Sequence, residues 1–254
     1  MFKFLFLVFS LCYSLCVVAD DVRSIHVMVA LCDNVHQGIA PVPTKLGNGQ
    51  NPKQNLYWGA LYGIKTTFKR SSDWTFVESY PCSESYILER CIFKHKRKNI
   101  YLIADAYDGE YIDQTIQDYM DACAGLSKLE MEIDGQAVGF GGMADLLVYI
   151  GHNGLMEQEL AYIPEKSDAD KRESITLGCF SKDFFVDYMR ASGAYPLLWT
   201  TGLMAPEAYI LDNALKGWVN RESYAEIQKR AAGAYSKYQK CSFGAASRLI
   251  VSGW

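Results

Sequence analysis

The sequence predicts an α/β protein: a three-layer sandwich with a mostly parallel central sheet and helices on both faces. Three observations carry that expectation. Several short runs, among them Leu146 to Ile150, Ile175 to Leu177 and Leu197 to Thr200, are apolar almost throughout instead of alternating, which marks strands buried on both sides. They alternate with segments whose apolar residues recur at helical spacing, the rhythm of strand–helix–strand units. The chain has 254 residues, 50% of them hydrophobic and 21% charged. It is long enough to bury one large core without disulfide or metal staples, and too apolar for disorder.

The N-terminus comes first. Lys3 precedes the apolar run FLFLVFSLCYSLCVVA, which stops at Asp20-Asp21. This pattern predicts a secretory signal peptide over residues 1–19, cut after Ala19, with Val17 three residues before the cut. The apolar run falls just short of a bilayer span of roughly 17–25 residues, so an uncleaved anchor is the weaker alternative. So is a lipid anchor, because Cys12 and Cys16 each follow Leu where a lipoprotein signal places a small residue. Residues 20–254 are then one exported domain with a C-terminal helical extension, secreted or periplasmic, without a membrane span of its own.

Within that domain, Ile25 to Leu31 predicts the first strand, followed by a loop rich in Gly and Pro. Asn55 to Phe68 has helical spacing after an Asn suited to capping. Short strands follow at Trp74 to Val77, Ile87 to Phe93 and Ile100 to Ala104. An amphipathic helix from Asp113 to Cys123 is closed by Gly125. Beyond the strand at Leu146 to Ile150 lies a polar loop over 164–174. The strand at Ile175 to Leu177 leads to a helix from Phe184 to Ala191, and after the strand at Leu197 to Thr200 come helices from Pro206 to about Lys216 and from Arg221 to Tyr238.

Composition excludes some functions. Lys and Arg total 25 against 29 Asp and Glu, a net charge of −4, and the only dense basic stretch is Lys94 to Lys98. A dedicated nucleic-acid binder would carry a basic face. No cofactor or metal is expected, since there is no CxxC or HxxxH spacing and the four histidines are scattered. Export would leave Cys32, Cys82, Cys91, Cys123, Cys179 and Cys241, an even number in a compartment that permits disulfides. Cys82 and Cys91 are the expected local pair, across a hairpin.

In a parallel sheet, ligands sit at the carboxyl ends of the strands. LLVYI ends in Gly151-His152-Asn153-Gly154, ITL ends in Gly178-Cys179, and PLLWT ends in Thr200 followed by Thr201-Gly202. Adjacent strand ends lie about 5 Å apart, so His152 and Cys179 can form a base and nucleophile pair. Backbone N–H groups of Asn153, Gly154 and Cys179 are the expected oxyanion donors. Taken alone, a strand-end His is most often a loop residue and a lone Cys a small hydrophobe.

An apolar strand ending in His, followed by one ending in a small residue and Cys, resembles the caspase-like peptidases of clan CD, which include caspases, metacaspases, legumains, clostripain and gingipains. IHVMVALCDN is similar to their first strand, NLYWGALYGIKTTF to the helix after it, and LLWTTGLMAPEAYILDNAL to the strand and turn after the Cys. The resemblance spans residues 25–218 by pattern. It implies a caspase-like fold, with His152 as general base, Cys179 as nucleophile, and a protein or peptide substrate. Asp33 occupies the position that reads the substrate's acyl-side residue, where an acid implies Lys or Arg, and Thr200 and Thr201 are further expected substrate-binding residues. Two departures stand out: Asn153 separates His152 from Gly154, and the interval of 27 residues from His152 to Cys179 is short for the family.

Rival readings are a non-catalytic exported binding protein on the same α/β fold, with Cys179 structural, and a non-peptidase thiol amidase or transpeptidase. Asp33 with Asn34 equally suits a simple turn. Gly139 to Gly142 reads as a flexible loop, since it precedes a strand instead of following one. Asp105, Asp108 and Glu110 read as a helix-start cluster before a cation site. Tyr224, Tyr235, Tyr238 and Trp254 read as packing.

Overall fold

A computed structural model describes residues 21–254; the expected signal peptide lies outside the described residues. The chain runs β1 (Arg23–Ala30), α1 (Ile64–Lys69), β2 (Trp74–Tyr80), β3 (Ile87–His95), β4 (Ile100–Tyr107), α2 (Ile112–Ala124), β5 (Lys128–Ile133), β6 (Gln136–Gly141) and β7 (Leu146–Ile150). It continues with β8 (Glu173–Leu177), α3 (Ser181–Ser192), β9 (Tyr195–Thr200), α4 (Ala208–Val219), α5 (Tyr224–Gln239), α6 (Phe243–Leu249) and β10 (Ile250–Val251).

The eight-stranded sheet has the order β10-β9-β8-β7-β1-β4-β3-β2. Its centre, β9-β8-β7-β1-β4, is parallel, and antiparallel strands finish both edges. Central strands are buried on both sides, as their unbroken apolar runs require. Alternate residues face opposite cores. Val27, Val29, Val148, Ile150 and Leu177 pack with α1, α4, α5 and α6, while Met28, Ala30, Leu147 and Tyr149 pack with α2 and α3. The result is the expected three-layer α/β arrangement. None of the described helices is long and apolar enough to cross a membrane.

Three local expectations are corrected. The helix expected over 55–68 is confined to Ile64–Lys69. Asn55 is fully buried and, instead of capping, exchanges hydrogen bonds with the Cys32 backbone, accepting from its N–H at 3.1 Å and donating to its carbonyl at 2.8 Å. The turns that follow bring Gly59 and Gly63 so close to the backbone of Lys53 and Trp58 that neither position has room for a Cβ. Secondly, Gly139 to Gly141 belong to β6, paired with β5 through the turn Asp134-Gly135, where φ is +53° and +75°, the geometry of a two-residue hairpin. Thirdly, Cys82 and Cys91 do not pair: Cys91 points into the core under α1, and Cys82 packs with the core on the opposite side of the sheet. All six described cysteines are free thiols.

Candidate active site

The strand order reverses between β1 and β7: the chain builds β4, β3 and β2 on one side of β1, and then crosses to β7 on the other. In an open parallel sheet that reversal leaves a crevice outside the carboxyl ends of the strands. A cavity of about 310 Å³ occupies this position, lined by Cys32 after β1, Gly151 and His152 after β7, and Cys179 after β8.

Register brings the two predicted residues together. Ile150 pairs with Leu177, so His152 and Cys179, each two residues further on, leave neighbouring strands at the same level and on the same side. The N–H of Gly151 donates to the Leu177 carbonyl at 3.2 Å and continues the ladder past the last strand residue. The buried Tyr149 hydroxyl donates to the His152 carbonyl at 2.5 Å and fixes the backbone there.

The His152 ring is nearly buried, at 8% exposure, and its Nε2 lies 2.8 Å from Oε1 of Glu157. A carboxylate only accepts, so Nε2 carries the hydrogen and Nδ1 keeps the lone pair that a general base needs. Nδ1 has no hydrogen-bond partner among the described residues. Glu157 follows a single 3-10 turn over Gly154–Met156, and its other oxygen accepts from the Gly38 N–H at 3.4 Å. Any side chain at Gly38 would collide with this carboxylate. Glu157 thus ties His152 to the loop after β1, a role the sequence reading missed.

Cys179 sits in the turn between β8 and α3. The residue is partly exposed, and its sulfur accepts from the Met204 N–H at 3.4 Å and donates to the Met204 carbonyl at 3.6 Å. The next residue, Phe180, is left-handed at φ +50° and ψ +32°, a conformation that costs a non-glycine residue about 1–3 kcal/mol and persists only where the surroundings enforce it. Here they do: the Phe180 N–H donates to the Gly202 carbonyl at 2.9 Å, and the Ser181 hydroxyl donates to the Thr176 carbonyl at 2.9 Å. This sharp strand–turn–helix step carries Cys179 to the N-terminal end of α3, where the helix leaves partial positive charge.

Asn153 ties the two strand ends together. It is fully buried; its amide donates to the Cys179 carbonyl at 2.7 Å and its oxygen accepts from the Leu155 N–H at 3.1 Å. The residue that interrupts the His-Gly pattern is therefore a brace between the His152 and Cys179 strand ends. The N–H groups of Asn153, Gly154 and Cys179 have no hydrogen-bond partner among the described residues. Of these three residues only Cys179 lines the cavity.

The three expected substrate-binding residues lie elsewhere. Asp33 is 1% exposed and not in the cavity wall; it organises its own loop, accepting from the Val35 N–H at 2.8 Å, from His36 Nδ1 at 2.8 Å and from the Gln50 amide at 2.9 Å. Burial opposes its ionisation, yet these hydrogen bonds outweigh burial and hold its pKa below the usual carboxylate value. Thr200 is fully buried, its hydroxyl bonded to the Gly178 carbonyl and to Ser181, so it braces the Cys179 turn from beneath. Thr201 donates to the Arg248 carbonyl at 2.7 Å and joins the end of β9 to α6.

The remaining wall comes from loops, including Ile39, Ala40 and Val42 on one side and Leu203, Met204 and Pro206 on the other. Tyr57 and Cys32 close the floor. Burial pushes the Cys32 thiol up to about 11 and the Tyr57 phenol well above its ordinary value. Cys32 is fully buried, so Cys179 is the accessible thiol of the cavity.

Elsewhere, Asp105 is buried with Arg90 at 2.6 Å and His26 at 3.0 Å, and Asp108 accepts from the Glu110 N–H at 3.0 Å, which bears out the helix-start reading at that position. Tyr224 stacks on Tyr195, Tyr238 on Tyr209, and Trp254 packs edge-on to Trp199. No family model, curated protein or solved structure matches the chain.

Proposed function

We propose that the chain is an exported cysteine peptidase of the caspase-like class, acting on protein or peptide substrates. The observation that carries this reading is that His152 and Cys179 leave adjacent parallel strands in register and line one cavity. The imidazole Nδ1 takes the thiol proton as sulfur attacks the scissile carbonyl. The oxyanion forms beside the Cys179 N–H. As the C–N bond breaks, the proton passes from the imidazolium to the leaving amine and leaves a thioester on Sγ. Water, deprotonated by His152, then hydrolyses the thioester, releasing the acid and restoring the thiol. Export rests on the signal pattern of residues 1–19, and an N-terminus at Asp20 in the secreted protein would agree with it.

The test is labelling by a thiol-directed peptidyl electrophile, comparing the wild type with Cys179→Ala and His152→Ala. The expected result is a covalent adduct on Cys179 that disappears in the first variant and forms far more slowly in the second. Labelling unchanged by Cys179→Ala overturns the assignment. Turnover of a peptide library with water or with an added amine as acceptor separates a peptidase from a transpeptidase.

A further inference from the structure

The wall of the cavity beside Cys179 contains no Asp, Glu, Lys or Arg. Ile39, Ala40, Val42, Met156, Leu203 and Met204 supply its apolar surface, and the mouth is apolar as well: Leu203 is 71% exposed and Met156 40%. The acids adjacent in sequence to this wall are committed, Glu207 beside Pro206 by accepting from the Tyr209 hydroxyl at 3.0 Å and the Gln239 amide at 3.2 Å. Glu157 is bonded to His152 and to the Gly38 N–H, and Asp33 has its oxygens filled by His36, Gln50 and backbone N–H groups. An ionised side chain entering this space would lose its hydration without gaining a counter-charge. An apolar one would lose water from its surface and gain contacts.

We infer that the residue on the acyl side of the cleaved bond carries an uncharged apolar side chain of the Leu, Met or Phe class. The inference rests on the peptidase reading, in which the acyl-side residue stays bonded to Sγ after the leaving amine departs. That residue is the part of the substrate held against the wall next to the sulfur. It replaces the Lys or Arg specificity expected from Asp33, and the physical reason is that Asp33 is closed inside its own loop. The cavity, at about 310 Å³, lies at the small end of ligand pockets, which run from about 300 to 1,000 Å³. It therefore suits one side chain and the adjoining backbone. Leu203 and Met156 at the mouth offer apolar contact to the next residues of an extended peptide.

The experiment uses peptidyl acyloxymethyl ketones that differ only in the residue next to the electrophile: Leu, Met or Phe against Lys, Arg, Asp or Asn. Iodoacetamide, which has no side chain to recognise, serves as the parallel probe of thiol accessibility. The apolar probes are expected to label Cys179 at least about 100-fold faster than the charged ones, the scale at which pocket contacts discriminate side chains. Equal rates across the series, with labelling still dependent on Cys179 and His152, overturn the specificity and leave the peptidase reading standing. Faster labelling by a charged probe does the same. Iodoacetamide modification of Cys179 with no peptidyl probe reacting overturns both. A second variant sharpens the result: Ala40→Asp puts a carboxylate on the exposed side of the wall and is expected to swing preference toward the Lys and Arg probes by about 10-fold or more. No swing overturns the placement of the acyl-side residue against the loop 38–42.

Discussion

Two polar clusters lie along the same carboxyl edge of the sheet and have opposite characters. After β1 and β4, Asp33, His36, Gln50 and Asp108 bond to one another, with Gln50 bridging Asp33 at 2.9 Å and Asp108 at 2.6 Å. After β7 and β8, His152 and Cys179 are braced by Glu157, Asn153 and Met204, yet one ring nitrogen of His152 has no partner among the described residues and the partly exposed Cys179 lines an apolar cavity. The first cluster consumes its polar capacity in ordering a loop; the second leaves capacity unspent. Unfilled polar capacity marks a strand end as the candidate site, and a carboxylate at a strand end can be entirely structural.

The largest expected effects break the open cluster. Cys179→Ala is expected to abolish acylation, and His152→Ala to slow it by about 10²–10⁴-fold, the usual contribution of a general base, measured as the second-order rate of probe labelling. Next comes the most closed polar group, Asp105. Burial opposes its charge, but bonds from Arg90 and His26 prevail and keep its pKa low. Arg90→Met strands that carboxylate and is expected to cost about 3–5 kcal/mol of stability, read by chemical denaturation, with labelling of the folded fraction retained.

Asp33 tests the comparison directly. Asp33→Ala is expected to cost about 1–3 kcal/mol by removing the charged acceptor of the hydrogen bonds from Val35, His36 and Gln50, while the side-chain preference of labelling stays that of the wild type. A lost preference would move Asp33 into the site. Its pH signature follows from two shifts. The lowered pKa of Asp33 means its contribution is present above the ordinary carboxylate pKa of about 3.9 and disappears as pH falls through the depressed value. His36 is raised, chiefly by its hydrogen bond to Asp33, so its contribution is full below about 6.5 and fades as pH rises through the raised value. The difference in melting temperature between wild type and Asp33→Asn is therefore expected to be widest between about pH 4 and 6.5.

The sheet was legible because its residues state their own burial. LLVYI needs two apolar faces wherever it sits, and Gly125, at φ +82°, ends α2 where the sequence places the stop. The placement of His152 and Cys179 at neighbouring strand ends is legible for the same reason, since both follow strands that had to be central. What failed depended on contacts distant in sequence. Asn55 suits a cap until Cys32 is brought beside it, and Cys82 suits a disulfide until the pleat sends Cys91 to the other face. The β5–β6 hairpin did carry a local signal, Asp134-Gly135 between two candidate strands, and was missed. The apolar wall had none: residues 38–42 and 203–206 are loops, and only the fold makes them neighbours.

The smallest effect tests how the open cluster is held. Glu157 is partly exposed, its side chain 42% accessible, while the imidazole it touches is nearly buried. If its role is to orient the ring and keep hydrogen on Nε2, a neutral acceptor in the same place should serve almost as well as a carboxylate. Glu157→Gln, which keeps an oxygen for Nε2–H, is then expected to retain most of the acylation rate. Glu157→Ala removes the acceptor and frees the ring to rotate. A 1 Å misplacement of a reacting group costs up to about 10²-fold, and a ring still confined by its buried surroundings should lose roughly 10-fold. The loss is expected in kcat with KM little changed, because Glu157 does not line the cavity. Equal losses in the Gln and Ala variants would instead make the carboxylate charge the essential feature, with Glu157 stabilising the imidazolium and not merely aiming the ring.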